Sequence, residues 1–306
     1  MSNQRTLEEL NKLVYGHERA KKVLITLVQR ASMRYHQKWI NLDKHPIETM
    51  NCLLVGDSGT GKTHLIESLQ SIVKFPFLRI DATTLTPTGN NDGVNSAKLR
   101  KMLIDKANLS ISSSYGPHSV QGALDKMVVF VDEIDKLANS FDSSGNWNKH
   151  VQANFLTLID DKHDFSGVSW VFAGAFSSIE KSKTEGGMGF GSEKTTARIT
   201  ISDEEIIKSG LIPELVGRIG QVVCLDEFTK EDYTKLLNEV VLPKKYKDLD
   251  YCGITFEVLS EDEIDAMAEK TAKSGQGVRG LSRNVDNHYI EAEFDRVDRP
   301  ALTMGT

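Results

Sequence analysis

Two helical patterns fill the first forty residues. Leu7, Leu10 and Leu13 recur at three-residue spacing behind Thr6 and Glu9, a pair that reads as a capping box. After a break at 14–17, Ala20, Val23, Leu24, Leu27, Val28 and Ala31 share one face of a second helix. From residue 51 the period changes. Short apolar runs at 52–55, 76–80, 127–131, 169–173 and 222–225, separated by helical or polar stretches, predict strands buried on both faces of a parallel sheet. Such alternation points to an α/β layer architecture. Beyond Phe228 it stops: Thr229 with Asp232 and Ser260 with Glu263 read as helix starts flanking one strand-like run at 254–259. The pattern therefore predicts a larger α/β domain at 1–228 and a smaller, mainly α-helical domain at 229–306, frayed after Arg296. Stretches 139–148 and 181–196, rich in Gly, Ser and Asn, read as mobile loops.

Composition changes this picture little. At 306 residues with 39% hydrophobic and 26% charged positions, the chain is not disordered, collagenous or membrane-embedded in composition. A polar opening without an apolar core of its own predicts no secretory signal and a cytoplasmic setting. Cys52, Cys224 and Cys252 lack CxxC spacing and read as reduced thiols. A net charge of −6 argues against a generally basic, nucleic-acid-binding chain. The clusters Lys98, Arg100, Lys101 and Lys244, Lys245, Lys247 are short enough to be solvated faces.

The candidate chemistry begins where the first strand ends. Gly56, Asp57, Ser58, Gly59, Thr60, Gly61, Lys62 and Thr63 spell GxxxxGK[ST] between a strand and an apolar-periodic helix. In this context the glycines let backbone N–H groups wrap phosphates. Lys62 reaches the β- and γ-oxygens of the phosphates, and the Thr63 hydroxyl serves Mg2+. The strand at 127–131 delivers two adjacent carboxylates, Asp132 and Glu133, to its C-terminal end, the edge of a parallel sheet where ligands bind. Asp132 is the candidate Mg2+ carboxylate and Glu133 the general base that polarises the attacking water. The competing reading, an acidic start to the next turn, loses ground once the phosphate loop is set beside it.

GDSGTGKT, VVFVDEIDKL, VFAGAF, SGLIPELVGR and SGQGVRGLSR follow one another as in the AAA+ core, and the chain resembles AAA+ ATPases of the ClpX/HslU type from about Leu13 to Phe294. The resemblance implies a P-loop NTPase domain followed by a helical lid, assembled into a hexameric ring that hydrolyses ATP to unfold or remodel protein. By the same resemblance Arg218 falls on the arginine finger that reaches a neighbouring subunit's nucleotide, and Arg279 on the lid arginine that touches nucleotide in its own subunit. Both suit charge spread over a transferring phosphoryl group, and the competing reading of each is a salt bridge. LVYGHERAKKVL resembles the segment beside the adenine, which would place Val14 and Tyr15 in that pocket unless they only pack a hinge.

Elsewhere the chain departs from the family. Asn90 stands where the pore loop carries a tyrosine, and the downstream Tyr115 does not replace it, so general polypeptide threading is put in doubt. Residues 158–167 shorten the region of the second pore loop, with Lys162 and His163 a poor match to its basic loop; VFAGAF also ends without a polar sensor, as it does in the family members most like this chain. No zinc-binding recruitment domain is legible. Met188, Gly189 and Phe190 resemble the loop that docks on a peptidase, against a structural loop or a different partner. The leading expectation is protein remodelling. The alternative is a nucleic-acid-associated loader or switch whose loops, with Asn90, Asn91, Lys98 and Arg100, face a phosphate backbone.

Overall fold

A computed structural model of the protein describes residues 2–39, 47–86, 93–111, 117–138, 146–177, 179 and 200–294. The chain forms two compact units, Met1–Gly56 with Lys62–Asp226, and Asp57–Gly61 with Glu227–Thr306.

The first unit is built on a five-stranded parallel sheet of β1 (Cys52–Val55), β2 (Phe77–Asp81), β3 (Val128–Asp132), β4 (Ser169–Gly174) and β5 (Gln221–Cys224), in the order β2-β3-β4-β1-β5. These are the five apolar runs of the sequence, each displaced by no more than one residue at either end. Alternate side chains go to opposite faces. Cys52 and Leu54, Val128 and Phe130, Val171 and Ala173 join one buried cluster with α1 (Asn3–Leu13), α2 (Glu18–Trp39) and α3 (Lys62–Ile72). Leu53 and Val55, Val129 and Val131, Trp170 and Phe172 join another with α4 (Ser96–Ile111), α5 (Val120–Asp125), α6 (Asn146–Ile159), α7 (Asp203–Lys208) and α8 (Pro213–Val216). The result is a sheet sandwiched between two helical layers.

Helix α1 starts earlier than the capping pattern predicts. Ser2 is the cap, its hydroxyl accepting from Arg5 N at 3.3 Å, while Thr6 is buried inside the helix and donates to Ser2 O at 3.1 Å. Glu9 pairs with Lys12 at 2.8 Å instead of reaching back to Thr6.

The second unit is helical: α9 (Lys230–Leu236), a π-helical turn at Leu237–Val241, α10 (Leu242–Tyr251), α11 (Glu261–Ser274) and α12 (Gly277–Phe294). The capping boxes at Thr229/Asp232 and Ser260/Glu263 both form. The π turn ends against Pro243, which has no N–H with which to continue regular helix bonding. The strand expected at 254–259 is absent. Residues there are not paired in any ladder, because no second strand is described in this unit. Side chains hold the segment instead: Phe256 stacks on Tyr246 at 5.1 Å between centroids, and Tyr289 Oη donates to Glu257 O at 2.8 Å. Among the described residues no helix is long and apolar enough to cross a membrane.

Candidate nucleotide site

The phosphate loop leaves β1 beside β4, where Gly56 N donates to Gly174 O at 3.2 Å. It then turns tightly, Thr60 N and Oγ1 both donating to Asp57 O at 3.3 and 2.9 Å. Gly59 and Gly61 have φ of +85° and +96°, which a side chain would strain. A Cβ at Gly61 would meet nothing within 4 Å, so glycine is needed there for conformation alone. Helix α3 begins at Lys62 with no acidic residue in its first turn, leaving its positive end for an external anion. Lys62 Nζ folds back to donate to Gly56 O.

Thr63 and Asp132 lie 69 positions apart in sequence, and the fold brings them into contact, Thr63 Oγ1 donating to Asp132 Oδ2 at 2.9 Å. Asp132 ends β3, and its Oδ1 accepts from Glu133 N at 3.1 Å. Glu133 itself is left-handed, at φ 57° and ψ 34°, as the backbone turns from β3 into the 3-10 helix Ile134–Leu137. That conformation costs a non-glycine residue about 1 kcal/mol, and the residue is exposed at the C-terminal end of β3.

A cation that the sequence reading did not single out completes this cluster. Arg79, on β2, sends Nη2 to Asp132 Oδ2 at 3.0 Å and Nη1 to Glu67 Oε1 at 3.3 Å. Its signal was present, since it is the one charged position inside the apolar run 76–80.

The two other candidate arginines lie on separate units. Arg218, one residue beyond Gly217 at the end of α8, is exposed and forks onto Asp160 through Nε at 2.5 Å and Nη2 at 3.0 Å. The hydrogen bond to Asp160, and then that carboxylate's charge, raise the guanidinium's already high pKa. Arg279 is exposed in the first turn of α12, a position where a cation opposes the helix dipole. The preceding residue, Val278, donates its N–H to Gly59 O at 3.1 Å, and Gly277, at φ 61°, approaches Gly59 so closely that a Cβ would lie 2.6 Å from its carbonyl.

A family model for the AAA proteins, the ATPase family associated with various cellular activities, matches residues 52–182. The ATP-dependent Clp protease ATP-binding subunit ClpX of Treponema denticola is 31% identical over 336 aligned positions, covering 95% of this chain and 76% of that protein. The chain belongs to the ClpX family of AAA ATPases.

As an AAA ATPase the protein binds ATP, and the residues present would fit a triphosphate with a divalent ion beside it. A glycine loop at an unacidified helix start suits phosphate oxygens, and a hydroxyl beside a carboxylate is a hard oxygen pair suited to Mg2+. Val14 is 5% exposed and packs in the apolar cluster with α1 and α2, while Tyr15 is half-buried. Buried Lys21 fixes this segment by donating to Val14 O at 2.7 Å and Asn11 Oδ1 at 2.8 Å, and burial lowers its pKa. Left-handed His17 exchanges two hydrogen bonds with Asp226: its N donates to Oδ2 at 2.6 Å and its Nδ1 accepts from Asp226 N at 3.0 Å.

Half of the basic-cluster residues make contacts within the fold. Arg100 pairs with Asp161 at 3.1 Å, Lys98 donates to Gly93 O at 2.8 Å, and Lys245 bridges Asp286 and Glu293. Strand β4 runs into Gly174, Ala175 and Phe176, apolar where a sensor would be polar. Asn90, Asn91, Tyr115 and the run Met188, Gly189, Phe190 lie outside the described residues, as do 139–145 and 181–196.

Proposed function

We propose that the protein is one subunit of a ring that couples ATP hydrolysis to remodelling of a protein substrate or assembly. The carrying observation is the junction of Thr63, Asp132 and Glu133 at the mouth of the phosphate loop, in a chain 31% identical to a ClpX. In this reading Asp57, Ser58, Gly59, Thr60 and Gly61 offer backbone N–H groups to the phosphates, and Lys62 leaves Gly56 O for the β- and γ-oxygens. Thr63 and Asp132 hold Mg2+, which when bound neutralises charge shared by those oxygens. Glu133 accepts a proton from the attacking water, and its exposed, left-handed position keeps the carboxylate out of the hydrogen bonds that occupy Asp132.

Arg218 serves the nucleotide of a neighbouring subunit, as its exposed guanidinium permits, and Arg279 serves the nucleotide of its own. A site divided in this way requires a closed ring, which we take to be a hexamer. Residues 1–228 act as the nucleotide-binding domain and 229–306 as its lid, with Val14 and Tyr15 beside the adenine. Docking to a peptidase through Met188, Gly189 and Phe190 is a separable part of the proposal, read out as peptide cleavage on mixing.

The test is a Glu133→Gln trap, expected to bind ATP, hydrolyse it at least a hundredfold more slowly, and capture a protein client. The ATPase of the unmodified chain is expected to rise with unfolded protein or with that client. Stimulation by DNA alone, falling steeply with salt, would overturn the reading.

A further inference from the structure

We infer that Arg79 is a resident counter-ion for Asp132 that competes with the divalent ion for this carboxylate and is handed to Glu67 when the ion enters. The inference deepens the assignment of Asp132 as the Mg2+ carboxylate and rests on it.

Three observations carry it. First, Asp132 Oδ2 accepts at once from Thr63 Oγ1 at 2.9 Å and from Arg79 Nη2 at 3.0 Å, so a cation approaching that oxygen meets a positive charge already seated there. Second, the Asp132 side chain is only 14% exposed, and an ionised carboxylate at that depth needs a partner in the absence of metal. Third, Arg79 is already shared. Its Nη1 lies 3.3 Å from Glu67 Oε1 on α3, and its side chain is 47% exposed, so the guanidinium can give up Asp132 by a small swing while keeping a carboxylate. The planar fork of arginine suits this division between two acids better than the point charge of lysine.

The consequence is an exchange of like charges. Before nucleotide arrives, Arg79 lowers the negative potential that a triphosphate would meet at Asp132. Once Mg2+ is present, Arg79 opposes its binding. Removing the guanidinium therefore has opposite effects on the two ligands: the divalent ion binds more tightly, and the nucleotide without metal binds more weakly. A purely structural side chain would change both in the same direction.

The experiment measures binding, not turnover. Mg2+ is titrated into the full chain with a fluorescent, non-hydrolysable ATP analogue, and the analogue's affinity is measured separately in EDTA. Arg79→Met is expected to lower the half-saturating Mg2+ concentration about three- to fivefold, the scale of one half-exposed ion pair, and to weaken metal-free binding by a similar factor. Arg79→Lys keeps the charge beside Asp132 but not the fork that divides it between two acids, and falls between the unmodified protein and Arg79→Met in both. Glu67→Gln, which leaves Arg79 no second acid, raises the Mg2+ requirement about twofold, and the same change in an Arg79→Met background does nothing further.

An unchanged Mg2+ midpoint in Arg79→Met, or both affinities moving together, overturns the inference. So does a Glu67→Gln effect that persists without Arg79. Should Arg79→Met not fold by circular dichroism, the Glu67→Gln variant decides alone, and a midpoint that falls or stays fixed overturns the exchange. Asp132→Asn tests the underlying reading: if its Mg2+ dependence matches the unmodified chain, Asp132 is not the metal carboxylate and that assignment falls, whatever Arg79 does.

Discussion

At the scale of single residues, the site is assembled from conformations that are costly elsewhere. Gly61 has room for a Cβ but a φ of +96°, so Gly61→Ala is penalised by backbone conformation and not by a clash. Glu133 shows the converse, a side-chain-bearing residue held left-handed. If that conformation is retained for chemistry, relieving it should separate stability from activity. Glu133→Gly and Glu133→Ala should both lose hydrolysis, with the glycine variant more stable than the alanine variant by about 1 kcal/mol in urea unfolding. At an ordinary helical or extended position the order would be reversed, so an alanine variant at least as stable would show that the turn carries no strain. What the sequence made legible here was residue type and order. The meeting of Thr63 with Asp132 was not readable as a distance, since it depends on β1 and β3 ending at the same edge of the sheet with β4 between them. Arg79 was overlooked because one cation in an edge-strand run usually marks only a solvated face.

At the scale of elements, the central strands β1, β3 and β4 were the most legible part, because burial on both faces leaves few polar positions to blur an apolar run, whereas β2 and β5 at the sheet's two edges are only partly buried. The strand-like 254–259 misled for a related reason: alternation reports which side chains are buried, not whether a second strand is there to bond. Phe256, stacked on Tyr246 and edge-on to Tyr289, is half-buried between exposed Thr255 and Glu257 without any strand partner. The start of α1 was misplaced because Thr6 and Glu9 match a capping box and Ser2 and Arg5 do not, yet the Ser2 hydroxyl caps Arg5 N and the helix begins there.

Residues 161–165 make another element testable. Asp161 Oδ1 accepts from the backbone N–H groups of His163 at 2.9 Å, Asp164 at 2.9 Å and Phe165 at 3.3 Å, while Oδ2 pairs with Arg100, whose guanidinium also lies 5.1 Å from the centre of the Phe165 ring. Burial pushes this carboxyl up, but the His163 and Phe165 N–H groups, Arg100 and the Asp164 N–H outweigh it and hold it below its ordinary value. A carboxyl depressed on folding stabilises the fold fully above its unfolded value, and that contribution disappears as pH falls through the folded one. Acidification below about pH 4 should therefore destabilise the unmodified chain more steeply than Asp161→Asn, which should already be about 1–2 kcal/mol less stable at neutral pH. Parallel acid limbs in the two unfolding curves would show that this clip adds nothing. Phe155 provides a control for packing in the same layer: it lies edge-on to Trp170 at 5.8 Å and to Phe172 at 6.3 Å, and Phe155→Ala should cost about 3–5 kcal/mol at any pH.

At the scale of the whole molecule, the proposal depends on whether Arg218 acts within its own chain or on its neighbour. In the isolated chain its guanidinium is held by Asp160, and its backbone carbonyl accepts from Asn51 Nδ2 at 3.0 Å; neither contact belongs to the phosphate loop. Two variants, each inactive alone, can separate the alternatives. Arg218→Ala subunits keep Glu133 but offer no finger, whereas Glu133→Gln subunits keep the finger but have no base. If each site takes its base from one subunit and its finger from the next, a ring assembled from both contains some sites with both groups intact. Random mixing in equal amounts makes roughly a quarter of the sites complete, and ATPase activity should reappear at about that fraction of the unmodified rate. If the finger acts in cis, every site lacks one group whatever the arrangement, and the mixture stays as inactive as its components. The measurement is a steady-state ATPase assay on subunits mixed before ring assembly, with rings assembled separately and then combined as the control. Activity only in the co-assembled sample places the complete site between two chains, and no activity in either sample confines Arg218 to its own.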